Sequence, residues 1–211
     1  MDLYFSPLAC SMATRIAFYE AGAAARFVEV DPKIKRTRDG ADYYAINPLG
    51  LVPAIRTDDG EVMTENAAIL QYVADRFPGA DLAPPSGMGR ARLQQWLCFI
   101  GTELHKGLFM PLLDPKAPEA GKTYTQDKGA SRLAYLDRYL ASRDYLLDRF
   151  SVADAYLFTV LNWSTATGVD LARWPAVKDY YTRMRQRPSI AKALAEERAL
   201  YLQQQARHKA A

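Results

Sequence analysis

Apolar positions change their spacing several times along the first 77 residues, then settle into the helical period after residue 88. Leu3-Tyr4-Phe5 reads as a short strand, Ser6-Pro7-Leu8-Ala9 as a turn, and Cys10-Ser11 opens a helix that Gly22 ends. Arg26-Phe27-Val28-Glu29-Val30 alternates, reads as a second strand and completes a βαβ unit. Val52 to Thr57, then Asp58-Asp59-Gly60, then Glu61-Val62-Met63 predicts a hairpin whose turn is rich in Asp and Gly. A helix follows from Thr64 or Glu65 through Ile69, Tyr72 and Val73 to Phe77. The stretch 78–87, with Pro78, Pro84 and Pro85, has turn chemistry and no apolar period, so it marks a domain boundary.

Beyond the boundary almost no strand signal remains. Leu93, Leu97, Ile100, Leu104 and Leu108 recur at three and four, predicting one helix over 88–110 with a single apolar stripe. A second helix spans 124–142 through Leu133, Leu136 and Leu140. Ser151-Val152-Ala153-Asp154 has the shape of a capping box, with the serine oxygen and the acidic side chain serving each other's backbone N–H groups. The helix it starts, 152–166, is apolar nearly all round and belongs at the centre of a bundle. Pro175 and Pro188 stand where a first helical turn tolerates proline, which adds two closing helices. The predicted organisation is a mixed α/β domain over 1–78, a linker over 79–87 and an all-helical domain over 88–211.

With 49% hydrophobic residues the 211-residue chain can bury a substantial core. No stretch reaches the length of a membrane span, and the N-terminus reads as a strand rather than a leader, so cytoplasm is the expected compartment. Charges of both signs are interspersed to a net +3, which gives nucleic-acid binding no support. Cys10 and Cys98 are too few for a disulfide framework, and with His105 and His208 they form no metal-ligand spacing.

The chemistry converges on a few places. Cys10 falls where a strand and turn feed a helix, and a sulfur there gains the positive end of the helix dipole. Thiols with an ordinary pKa of about 8.5 drop to roughly 3.5–7.5 in such environments. Val52-Pro53 begins a strand, where proline marks an end or an edge and a cis bond would be a deliberate feature. Glu65-Asn66 sits at a helix start, whose free N–H groups suit a carboxylate ligand as well as plain capping. Cys98, Thr102 and His105, at i, i+4 and i+7, share one helix face turned from the leucine stripe. Cys98 lies inside that helix, where packing against Phe99 is expected to limit its access.

These residues resemble the cytosolic glutathione transferases, most closely the bacterial beta class. The resemblance rests on Tyr4-Phe5-Ser6-Pro7 leading to Ala9-Cys10-Ser11, on residues 45–53 (AINPLGLVP) and on Leu70-Gln71-Tyr72-Val73-Ala74-Asp75. It continues through Gln95-Trp96, Glu103-Leu104-His105-Lys106 and residues 151–158 (SVADAYLF). It implies a thioredoxin-like α/β N-terminal domain, an all-α helical-bundle C-terminal domain and a homodimer. Glutathione would be the co-substrate, with no permanently bound cofactor, no metal, no nucleic acid and no membrane partner. The implied activity is conjugation of glutathione to small hydrophobic electrophiles, a detoxification reaction. The alternatives are redox chemistry through a Cys10 mixed disulfide and a non-catalytic ligand-binding role.

By the family pattern, Cys10 meets the glutathione sulfur and His105 sits near it; a buried thiolate needs donors, which backbone N–H groups, Ser11 and His105 can supply. Lys35 takes the glycyl carboxylate, Val52 with a cis Pro53 takes the cysteinyl backbone, and Glu65 with Asn66 takes the γ-glutamyl end. Cys98 holds a position that contacts glutathione in the family. Thr102 and Glu103 complete the amine end across the dimer. Leu8, Phe109, Met110 and Trp163 surround the electrophile. Leu8, Arg15, Asn66 and Cys98 depart from the usual residues of the class.

Overall fold

The apolar strands of the first half assemble as expected in the computed structural model, which describes residues 1–210. Strand β1 (Asp2–Phe5) and β2 (Arg26–Asp31) run parallel, with helix α1 (Met12–Glu20) between them in sequence. β4 (Ala54–Arg56) pairs antiparallel with β1, and β5 (Val62–Thr64) with β4. A two-residue strand, β3 (Arg36–Thr37), extends the other edge, giving the order β3-β2-β1-β4-β5. Its sequence is too short and too polar for any alternation to announce it.

Strand alternation sends Leu3 and Ile55 into one core with Met12, Ile16, Ile69, Leu70 and Val73 of α1 and α2 (Asn66–Arg76). Tyr4, Val30, Tyr43 and Ala54 pack on the opposite side with Val28, Ile46 and Val52. This is a thioredoxin-like arrangement. Gly22, at φ +59, follows the end of α1 as its spacing predicts.

The contacts divide the chain differently from the expected 1–78 and 88–211. One unit is Met1–Ala83 with the last helix, α9 (Pro188–Ala210), and the other is Pro84–Arg187. α9 leaves the helical half because its polar side chains, the buried Glu197 among them, have partners on α1 and β2. Glu197 pairs with Arg15 of α1, Arg207 with Glu29, and His208 Nε2 lies 2.6 Å from Asp31 Oδ2 of β2.

In the second unit the long helix is not uniform. α3 (Gly87–Phe99) passes into a π-helical segment, Ile100–Phe109, and then α4 (Met110–Leu113). The wide turns bring the Thr102 carbonyl so near residue 107 that a Cβ there would lie 2.8 Å from it, and Gly107 removes that clash. α5 (Glu119–Leu140) begins before the expected residue 124, because its first turn is polar and carries no apolar period. α6 (Val152–Leu161) is buried at every position, as its all-round apolarity predicts. A break at Asn162 and Trp163 then separates it from α7 (Ser164–Thr167), where one helix to 166 was expected. α8 (Pro175–Arg185) and α9 both begin on their prolines. Among the described residues no helix is long and apolar enough to cross a membrane.

Candidate functional site

In the first unit, the turn after β1 delivers Cys10 to the start of α1. Ala9 N–H bonds the Ser6 carbonyl at 3.1 Å and Met12 N–H bonds Ala9 at 3.0 Å, which folds the chain tightly into the helix. Cys10 is 8% exposed and its thiol donates to the Val52 carbonyl at 3.3 Å. The Val52-Pro53 bond that follows is cis. Tyr43 Oη and Asn47 Nδ2 both donate to the Leu51 carbonyl, at 2.8 and 2.7 Å, and so hold the strand entry against the thiol.

Two residues expected to serve a ligand are engaged in the fold. Ser11 Oγ donates to the Ser6 carbonyl and accepts from Ser6 N–H, each at 3.3 Å, so its hydroxyl is spent on the turn. Asn66 Nδ2 donates to the Cys10 carbonyl at 3.2 Å while its Oδ1 accepts from Thr14 Oγ1 at 3.0 Å. It ties α2 to the Cys10 turn. Glu65 is exposed at the start of α2 with φ +66, and Lys35, also at positive φ, donates to the Gly50 carbonyl at 2.9 Å.

Sequence reading missed what holds the turn from beneath. Arg15 lies in a helix whose residues 12–18 are all buried, its guanidinium between the rings of Phe5 and Phe27 at 4.2 Å from each. Its Nη1 donates to Glu196 at 3.1 Å, and its Nε stands 3.1 Å from Glu197 Oε1. The other Glu197 oxygen accepts the N–H of Leu8, itself at φ +61, at 2.7 Å. Burial pushes the Glu197 carboxyl up to about 8, against the opposing pull of Arg15 and the Leu8 N–H. The available signal was an arginine inside the apolar run Met12-Ala13-Thr14-Arg15-Ile16-Ala17-Phe18.

In the second unit, His105 is 6% exposed, its Nδ1 2.6 Å from Tyr156 Oη of α6 and its ring edge-on to Trp163 at 4.9 Å. Burial, helped by Lys106, lowers its pKa to about 4, so the ring is neutral near pH 7. The expected common face with Cys98 and Thr102 divides: those two are exposed while His105 points inward. The π-helical turns between residues 100 and 105 advance the chain more slowly around the axis and rotate His105 off the α-helical face. Phe99 packs on Trp96 and Tyr135 instead of shielding Cys98, which is exposed, contrary to the expected limit on its access. Thr102 Oγ1 bonds the Cys98 carbonyl, and Glu103 accepts from Arg132 Nε at 2.8 Å. Of the expected electrophile contacts, Phe109 is fully buried against Trp163, Met110 is exposed, and Leu8 lies in the first unit.

A mixed thioredoxin-like unit with a cysteine at its first helix, joined to an all-helical unit, is the architecture of a glutathione transferase. Residues 9–76 match the family described as Glutathione S-transferase, N-terminal domain, and 96–188 match Glutathione S-transferase, C-terminal domain. The chain belongs to the glutathione S-transferase family. It is 41% identical to Glutathione S-transferase GstA of Escherichia coli O157:H7, covering 93% of this chain and 98% of that one. A sphingomonad glutathione S-transferase solved in complex with glutathione superposes with a TM-score of 0.90 at 43% identity, covering 93% and 98%. A bacterial beta class enzyme from Sphingomonas chungbukensis gives 0.89 at 41%, with the same coverage.

Proposed function

We propose that this glutathione transferase conjugates glutathione to small hydrophobic electrophiles, with Cys10 orienting the glutathione sulfur and His105 donating a hydrogen bond to it. The observation that carries this reading is the Cys10 thiol bonded to the Val52 carbonyl, beside a cis proline at a strand entry. That thiol and that backbone edge are the parts needed to grip a cysteinyl peptide. Lys35 answers the glycyl carboxylate, and Glu65 answers the γ-glutamyl end without the Asn66 amide, which the fold already uses. The reading includes detoxification in the cytoplasm.

Cys10 Sγ lies 3.3 Å from a carbonyl oxygen, which can accept from a thiol and gives a thiolate no stabilisation, and this supports conjugation over mixed-disulfide chemistry. A paired assay distinguishes the two. With glutathione present, the protein is expected to conjugate an aryl halide faster than it reduces a glutathione mixed disulfide. The opposite order would assign the redox role, and no turnover of either would assign a binding role.

The reading also makes the chain a homodimer, with Thr102 and Glu103 serving the partner's glutathione. Exposed Thr102 and Cys98 are compatible with that surface. Light scattering at micromolar concentration is expected to give twice the single-chain mass of 23.6 kDa. The single-chain value would remove Thr102 and Glu103 from the site.

A further inference from the structure

We propose that Tyr156 is a positioning residue that holds His105 in the tautomer with its hydrogen on Nε2, so that the ring offers a donor and not a base. The inference rests on the role given to His105 above and specifies which proton it carries. A neutral imidazole has one N–H and one bare nitrogen, and the hydrogen bond made by one nitrogen decides the state of the other. Nδ1 is 2.6 Å from the phenolic oxygen of Tyr156. Two arrangements satisfy that distance, and they predict opposite chemistry.

If the phenol donates, Nδ1 is bare and Nε2 carries hydrogen. If Nδ1 donates, Nε2 is bare and can accept a proton. A phenol is a strong donor and a weak acceptor, because its ring withdraws oxygen lone-pair density, whereas the bare imidazole nitrogen is among the best neutral acceptors in a protein. The phenol therefore donates.

The surroundings hold the two groups together. Tyr156 lies on α6, buried at every position, and its ring meets the imidazole at 89° with centroids 5.9 Å apart. Trp163 closes on the imidazole at 67°. Gly101 lies opposite the phenol, where even a Cβ would be 3.7 Å from Oη, so the hydroxyl has room. Burial also keeps the ring neutral, so it has one hydrogen to place. A donor at Nε2 suits an anionic sulfur, which gains from a preorganised hydrogen bond. The proton that leaves glutathione then goes to solvent, not to His105.

The test is nitrogen–proton correlation spectroscopy of the imidazoles in the full-length protein labelled with 15N-histidine at pH 7. With only His105 and His208 in the chain, assignment needs one variant, His208→Gln. His105 is expected to show a protonated Nε2 and a bare Nδ1. In Tyr156→Phe that preference is expected to collapse toward a mixture, with kcat for conjugation falling about tenfold or more and KM for glutathione changing less. In a His105→Asn background the same Tyr156→Phe change is expected to add no further loss in kcat. A protonated Nδ1 in the unaltered protein, or an unchanged tautomer in Tyr156→Phe, would overturn the proposal. If the tautomers behave as stated but no variant, nor the unaltered protein, conjugates glutathione, the assignment of Tyr156 stands and the proposed reaction fails.

Discussion

Replacing Arg15 with alanine is expected to cost about 3–5 kcal/mol of folding stability at pH 8, where Glu197 ionises, and less at pH 5, where Glu197 carries its proton. The change strips a guanidinium from between Phe5 and Phe27 and leaves Glu197, fully buried, without its cation. Burial already holds the Glu197 carboxyl near 8, against 4.5 in an unfolded chain. A carboxyl raised on folding keeps its proton in the folded state over that window, so stability falls as pH rises through it. Arg15 pulls the value down, and its removal raises it further. The fall with pH should therefore be steeper in Arg15→Ala than in the unaltered protein. Urea unfolding at the two pH values measures both effects. A loss below about 1 kcal/mol with no added pH dependence would show that the pair behaves like a surface ion pair. The consequence reaches the site, because Glu197 holds the Leu8 N–H two residues before Cys10.

A comparable loss is expected at Asp154, in the other unit. Its carboxylate accepts four hydrogen bonds at 2.9 Å, from the N–H groups of Leu146 and Ser151 and the hydroxyls of Ser151 and Tyr180. The residue is fully buried, so alanine strands all four donors without water. Each such donor costs about 1–3 kcal/mol, and relaxation recovers part of it, leaving a net loss of at least about 3 kcal/mol. Asparagine retains one acceptor oxygen and should lose less. Chemical denaturation of both variants checks the order, and equal, small losses would mean that the cap of α6 is dispensable. His105 and Tyr156 depend on this cap, since α6 carries Tyr156.

What was legible in the sequence was local. The βαβ unit, the hairpin, the capping box at Ser151 and Asp154, and the proline starts of α8 and α9 each follow from a few neighbouring residues. What was illegible depended on partners distant in sequence or on small changes of helical pitch. The leucine spacing from Leu93 to Leu108 fits a single α-helix, yet the chain widens into π-helical turns, and only the close approach at Gly107 hints at it. α9 reads as one more closing helix because nothing in its own spacing shows that Arg15, far away in sequence, is buried beside Glu197. Asn66 reads as a ligand contact at a helix start, although its amide bridges Thr14 and the Cys10 carbonyl. Val52 and Asn66 do bond Cys10, as thiol acceptor and as donor to its carbonyl, but which side chains keep capacity for a ligand depends on bonds that spacing does not reveal.

Activation of the glutathione sulfur is tested most directly by the ultraviolet thiolate absorbance of glutathione bound to the protein, followed across pH and corrected with S-methylglutathione. The thiol of bound glutathione is predicted to ionise at least about one unit below the ordinary value of about 8.5, with the shift reduced in His105→Asn and in Tyr156→Phe. An unshifted ionisation in the unaltered protein, with glutathione demonstrably bound, would contradict the account.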